Sequence, residues 1–186
     1  MTVLKLSLAA AAALDPVVSV LAAQAVVLGH SSARLCYEAA DSRGATTKQS
    51  LDRCDQALAE EALSRHDEVA TYVNRGILKL RQNRIDAAIA DFDAAIARDP
   101  DQAEAYLNKG VASLRREQWA QALPLFDTAL AKETIRPAIA HYGRAVAHEM
   151  GGNVRQAYND YREASRLAPK WRDPQVELSR FTVVSR

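Results

Sequence analysis

Residues 72–100 read YVNRGILKLRQNRIDAAIADFDAAIARDP, and residues 106–134 read YLNKGVASLRREQWAQALPLFDTALAKET. The two stretches match at a fixed offset. Tyr72 and Tyr106, Gly76 and Gly110, Ala88 and Ala122, Phe92 and Phe126, and Ala95 and Ala129 are each 34 apart. A third copy fits with one residue more, since Ala122 to Ala157, Phe126 to Tyr161 and Ala129 to Ala164 are each 35 apart. Such a period means one supersecondary unit stacked on copies of itself. One unit cannot bury its apolar face alone, so several must stack.

The order of residues within each copy resembles the tetratricopeptide repeat, a helix–turn–helix unit. Its signature of a bulky residue, a small one, Ala, an aromatic, Ala and Pro reads Tyr72, Gly76, Ala88, Phe92, Ala95 and Pro100 in the first copy. The second reads Tyr106, Gly110, Ala122, Phe126 and Ala129, and the third His141, Ala145, Ala157, Tyr161, Ala164 and Pro169. The resemblance implies an all-α fold, a right-handed superhelical array of stacked antiparallel helix pairs. Its units are 69–102, 103–137 and 138–171, with a linker and degenerate hairpin at 26–68 and a capping helix and tail at 172–186. Small residues at Gly76, Gly110, Ala145, Ala88, Ala122 and Ala157 let paired helices approach. Ile85, Trp119 and Val154, with Phe92, Phe126 and Tyr161, fill what remains at native-like density. Pro100 and Pro169 close their units, because the residue before a proline is steered out of the helical region.

Four departures from the pattern matter. Arg75, Lys109 and Arg144 stand where the family has leucine, their stems covering apolar surface while the charges reach water. Thr134 replaces the second closing proline, with Pro137 soon after, so that junction is expected to shift by a residue. Pro124 falls inside a predicted helix, near its start and on an outer face. The segment before the first unit carries the only two cysteines, Cys36 and Cys54.

That leading segment reads as a hairpin with Leu35, Ala39 and Ala40 on one stripe and Leu51, Cys54, Ala57 and Leu58 on another, broken at Ser42-Arg43-Gly44. If it closes like the repeats, Cys36 and Cys54 face each other. In an exported chain a disulfide then follows from the compartment; in a reducing one, two buried thiols are the ordinary state. Upstream, Lys5 precedes the apolar run Leu6–Leu14, and a second run ends at Ala23-Gln24-Ala25, a small-x-small cleavage pattern. Residues 1–25 are therefore expected to be an export signal cleaved after Ala25, although Asp15 interrupts it. The rival reading is an inner-membrane anchor over Leu6–Leu28, with Asp15 at mid-membrane costing about 3 kcal/mol. Taken together, the chain is similar to small exported tetratricopeptide proteins of Gram-negative bacteria, periplasmic or secreted. At the other end, Asp173-Pro174 reads as a helix start, with Val176, Leu178 and Phe181 covering the last unit, and Thr182-Val183-Val184 as an apolar, β-prone tail.

Composition excludes more than it assigns. A formal net charge of +1 at pH 7 and a pI near 7.8 give no cationic field for phosphates, which argues against a nucleic-acid reader. His141 and His148 are seven apart, the wrong spacing for a chelating pair, and no cysteine pair sits two apart as in a zinc knuckle. Asp91 and Asp93 flank Phe92 and point different ways. No phosphate loop or nucleophile constellation is present. The expectation is no enzyme, no cofactor and no metal.

Family geometry assigns the first helices to a concave side. It places Val73, Asn74, Ile77, Leu80 and Arg81 there from the first unit, and Leu107, Asn108, Val111, Leu114 and Arg115 from the second. The third contributes Ile139, Tyr142, Gly143, Val146 and Glu149. One subclass of the family grips a peptide carboxylate with a Lys/Asn/Arg clamp; here those positions are Val73, Ile77, Asn108, Ile139 and Gly143, and only Asn108 matches. The implied function is a scaffold taking a helix or peptide of a cell-envelope protein in this mainly apolar groove. Arg81 and Arg115 would meet acidic side chains and the asparagines a peptide backbone. The alternative is a homodimer or larger homo-oligomer whose groove is self-occupied.

Overall fold

In the computed structural model the described residues are 2–6, 31–42, 44 and 46–185. The export reading rests mainly on Ser7–Ala25, which lies outside them. Nine helices are present among the described residues: α1 (Ser32–Asp41), α2 (Lys48–Glu60), α3 (Arg65–Arg81), α4 (Ile85–Arg98), α5 (Ala103–Arg115), α6 (Trp119–Ala131), α7 (Pro137–Met150), α8 (Val154–Leu167) and α9 (Arg172–Leu178). Consecutive helices pair from α1/α2 to α7/α8, and each pair packs on the next. The core is a continuous column of alanines capped by Phe92, Phe126 and Tyr161, all essentially inaccessible.

The glycines explain the nesting. A Cβ added to Gly76 would lie 2.4 Å from Phe92 Cε1, and one added to Gly110 would lie 2.9 Å from Phe126 Cε1. Real Cβ atoms do not approach that closely, so the aromatic of the second helix occupies the space a side chain would need. The repeat signature is thus a statement of complementary volumes.

The turns within the units share one geometry. Asn83, Glu117 and Gly152 have φ of 58°, 57° and 78°. In each, the N–H of this residue bonds three residues back and the next N–H bonds five back, as in Arg84 N–H to Lys79 O at 2.9 Å and Gln118 N–H to Ser113 O at 2.9 Å. This is the Schellman closure, whose left-handed residue is best supplied by Gly or Asn. Glu117 lacks that freedom and is exposed. Glu117→Gly should therefore raise stability by about 1 kcal/mol, the order of the left-handed penalty, measured as a higher denaturation midpoint with unchanged slope.

The leading hairpin closes as expected, with a Cys36–Cys54 disulfide and a Cα–Cα distance of 4.9 Å. Its stripe differs in detail: Ala33, Cys36 and Ala40 are buried, while Leu35 is 44 % exposed. Ser31 caps α1 and Thr47 caps α2, the latter through a reciprocal box with Ser50. Closing a loop of this size is worth about 3 kcal/mol in the chain-entropy model. Cys54→Ala with Cys36→Ala should lower stability by about that amount, and the wild type should fall to the same value in dithiothreitol.

Several expectations about the ends and edges are corrected. The last helix begins at Arg172 rather than at an Asp173 cap; Asp173 instead accepts a hydrogen bond from Trp171 Nε1 at 2.9 Å. Val176 is 55 % exposed. Phe181 is not helical but opens β2 (Phe181–Ser185), which pairs antiparallel with β1 (Thr2–Leu6), Leu6 opposite Phe181 and Thr2 opposite Ser185. The fold remains all-α in its core, with this ladder outside it against α8. The β-prone tail has found a strand from the other end of the chain. Phe181 anchors it, its ring 5.6 Å from Tyr158 and 6.0 Å from Tyr161. Pro124 is exposed within α6, where its missing N–H faces the exposed Ala120.

Candidate functional site

The first helices α3, α5 and α7 run side by side, and the aliphatic residues expected as a strip on their inner face are buried. Val73, Ile77 and Leu107 are 0 % exposed, Val111 1 % and Leu114 2 %. Leu80, Ile139, Tyr142 and Val146 are buried with them. The sequence reading left both an open and a self-occupied groove; in the single chain these side chains are buried.

The polar members of the expected site are engaged in the array itself. Arg81 was expected to reach an acidic partner. Its guanidinium instead donates to the carbonyls of Ala39, at 3.3 Å, and of Ala40 and Ser42, the last at 2.9 Å. These are the terminal carbonyls of α1, left without partners inside their own helix, and a cation there also opposes the negative end of the helix dipole. Burial holds the Arg81 guanidinium below its usual range, with Asp41 acting the other way. One repeat later Arg115 does the same for α3, donating to Leu80 O. Asn108 Nδ2 donates to Glu104 O of its own helix at 2.8 Å. Asn74, Asn108 and Arg115 also have further polar or electrostatic partners.

Two third-unit residues leave the strip. Gly143 packs on the preceding unit, where an added Cβ would lie 2.4 Å from Phe126 Cζ. Glu149 accepts from Tyr161 Oη at 2.9 Å and from Arg180, tying α7 to the C-terminal cap. Tyr142 is at the strip's end, its ring 5.4 Å from Tyr161 and 4.9 Å from Trp171. Burial raises the Tyr142 hydroxyl well above its ordinary range, helped by Glu177, Asp173 and Glu149.

On the other side of the helices, the cations in the family's leucine position turn out to be inter-unit ties. Arg75 donates to both oxygens of Asp91, at 2.6 and 3.0 Å, and to Asp55 of the preceding pair at 2.7 Å. Lys79 joins Asp91 at 2.6 Å. Arg144 repeats the arrangement with Asp160, at 2.7 and 2.8 Å, and Asp127, at 2.6 Å. Lys109 reaches back to Asp93. The signal was in the sequence: each of these arginines has an aspartate sixteen residues on, in the facing helix. His141 and His148 converge on the same carboxylate, His141 Nδ1 at 2.9 Å from Asp160 Oδ1 and His148 Nε2 at 4.0 Å from Oδ2. No group of three metal-ligating side chains occurs among the described residues.

A tetratricopeptide repeat model matches residues 73–132 and 112–170, together more than half of the chain. The chain belongs to the tetratricopeptide repeat family. No curated protein sequence matches it. Among solved structures, it is similar to MamA 41-end from Desulfovibrio magneticus RS-1, with 19% identity over 82% of this chain and 84% of that one and a TM-score of 0.63. The MamA RS-1 ArsTM double mutant gives 19% identity, 82% and 83% coverage and 0.63. MamA MSR-1 C2 gives 17% identity, 70% and 72% coverage and 0.57. These likenesses establish the right-handed superhelical fold. Tetratricopeptide proteins are generally non-enzymatic and bind other proteins, and membership of the family supports a protein-interaction scaffold.

Proposed function

We propose that the working surface of this tetratricopeptide scaffold is the concave strip of α3, α5 and α7, and that it holds an apolar helix or peptide. The observation that supports this reading is the recurrence of aliphatic residues at matching positions of successive first helices, Val73 and Leu107, Ile77 and Val111, Leu80 and Leu114. The strip's arginines are spent on helix ends, so recognition there is by aliphatic packing rather than by acidic groups.

The scaffold is proposed to act in the cell envelope of a Gram-negative bacterium, exported by residues 1–25 and matured by cleavage after Ala25. The Cys36–Cys54 disulfide supports an oxidising compartment. No helix among the described residues is long and apolar enough to cross a membrane. Cleavage would remove β1 and leave β2 without its neighbour, so the mass of the exported chain decides the point. A mature form beginning at Val26 and lacking two thiol hydrogens supports export and processing; an intact Met1 favours the uncleaved, anchored form.

The partner assignment is tested by placing a photo-activatable amino acid at position 107 or, as a control on the outer surface, at position 127. Irradiation of the cell envelope should give adducts with another protein from position 107 and none from 127. The reverse pattern would move the site off the strip. The second reading is a self-occupied groove in a structural homo-oligomer; a concentration-independent monomer in light scattering would remove it.

A further inference from the structure

The cations of the array fall into two groups. Those between units are held by carboxylates: Arg75 and Lys79 by Asp91, Lys109 by Asp93, and Arg144 by Asp160. Those on the outer side of α8 are not. Arg155, Asn159, Arg162 and Arg166 recur at steps of four, three and four residues, which places them on one face of a helix, and all four are exposed. Arg166 pairs with Glu163 of the same helix. Arg155 and Arg162 make no ion pair among the described residues, and neither do the exposed Lys170 and Arg172 at the α8–α9 junction.

The acidic groups of this end are already taken. Asp160 holds Arg144, Glu163 holds Arg166, Glu177 holds Arg180, and Asp173 accepts from Trp171 Nε1. Residues 151–186 contain seven Lys and Arg against four Asp and Glu, while the whole chain has a net charge of only +1, so residues 1–150 are net negative. A charge that looks balanced in the composition is therefore separated along the chain, and its positive part collects as a row on α8.

The form of the row points to its ligand. It runs about 16 Å from Arg155 to Arg166 at the rise of an α-helix. Guanidiniums meet phosphate oxygens through paired N–H donors. Aliphatic side chains lie at the same end of the chain: Leu167, next to Arg166, is 37 % exposed, and Val176 of α9 is 55 % exposed. A plane of anionic headgroups meets such a row along its whole length without a register, and the boundary beneath it takes up aliphatic side chains. An acidic peptide would satisfy the cations one by one but gives the two aliphatics nothing to enter. We propose that the outer face of α8 docks on an anionic phospholipid surface, with Arg155, Arg162 and Arg166 on headgroup phosphates and Lys170 and Arg172 beside them. The scaffold is then held at a membrane by its outer side. This goes beyond the reading of the concave strip and stands without it, because the two share no residue.

The test uses the full chain in vesicle flotation, with vesicles of phosphatidylcholine alone or of phosphatidylcholine and phosphatidylglycerol in equal parts. Binding to the anionic vesicles should exceed binding to the neutral ones and vanish in about 1 M salt, where the screening length is about 3 Å. Arg155→Gln with Arg162→Gln and Arg166→Gln should weaken it about a hundredfold, each cation near such a surface contributing roughly a factor of five. Circular dichroism should not change, since the three side chains are exposed. Lysine at the same three positions should preserve binding. Equal binding to both vesicles, or anionic binding that survives the glutamine changes, would overturn the proposal and assign membrane contact to the apolar stretch 6–28. Arginine-dependent binding of polyglutamate without binding to anionic vesicles would overturn it in favour of an acidic protein partner. Release from the vesicles by inorganic phosphate at constant ionic strength would overturn it in favour of a site for the free anion.

Discussion

Gly143→Ala should destabilise the protein by about 3 kcal/mol, the upper part of the range for forcing atoms into a packed core. In an exposed or groove-facing position of a helix the same change would stabilise by up to about 1 kcal/mol, because glycine is a poor helix former. The sign is therefore diagnostic. The Phe126 ring is held from two sides, by Gly110 of its own unit and Gly143 of the next, with added Cβ atoms meeting it at 2.9 and 2.4 Å. A ring pressed from one side can tilt away; a ring pressed from both cannot. Gly110→Ala should accordingly cost less than Gly143→Ala. Trimming the ring opens the space, so Phe126→Leu combined with Gly143→Ala should be less harmful than the sum of the two single changes. Urea denaturation of the four proteins measures the coupling. A neutral or stabilising Gly143→Ala would mean that the units do not nest through these glycines.

The second large effect is at Asp160. This buried carboxylate accepts both arms of Arg144 and faces His141 and His148. Asp160→Asn keeps the shape but leaves the partly buried Arg144 with only the exposed Asp127, and removing one member of a buried pair costs about 3–5 kcal/mol. Burial alone would push the Asp160 carboxyl up, but the hydrogen bonds from His141 and Arg144, with their charges, outweigh it and hold the group below its ordinary value. A carboxyl depressed in the folded state contributes stability above its unfolded pKa of about 3.9 and loses it as pH falls through the lower, folded value. His148 acts in the same direction at higher pH. Burial holds its imidazole below the ordinary range, with the charge of Asp160 opposing and that of Arg144 adding to the effect. Its Nδ1 is buried with no hydrogen-bond partner among the described residues. Its contribution is present above about pH 6.5 and declines as the solution is acidified through the folded value. Stability should thus fall in two stages on acidification, the first shallow and due to His148, the second near and below pH 4. Asp160→Asn should abolish the second stage's Asp160 component and flatten the curve there. A variant with the same acid limb as the wild type would show that this carboxylate is not what acid attacks.

Much of the repeat architecture was legible because it depends on local rules. The spacing of Gly76 and Gly110, the alanines, and Phe92 and Phe126 dictates paired helices whatever surrounds them, and Cys36 and Cys54 fall where the leading hairpin closes. The aliphatic positions of the first helices follow the same repeat, and the structure buries them. Three site assignments were not. Gly143 looked like a groove residue from its register, but it is the counterpart of a ring from the preceding unit. Arg81 looked like an anchor for an acidic partner, but carbonyls some forty residues away, at the end of α1, claim it. Glu149 is drawn to Tyr161 and Arg180. In each case the deciding partner lies on another element, beyond the reach of periodicity.

By itself, then, the order of amino acids determined the repeating helix pair and its number, because glycine, alanine and aromatic volumes at regular intervals admit one way of packing. Only the tertiary structure decided that these aliphatic side chains are buried, that Arg81 and Arg115 serve neighbouring helices, and that β1 and β2 meet as strands. Those outcomes come from contacts between residues far apart in the chain, where burial and unpaired carbonyls select among partners that the sequence lists without ranking.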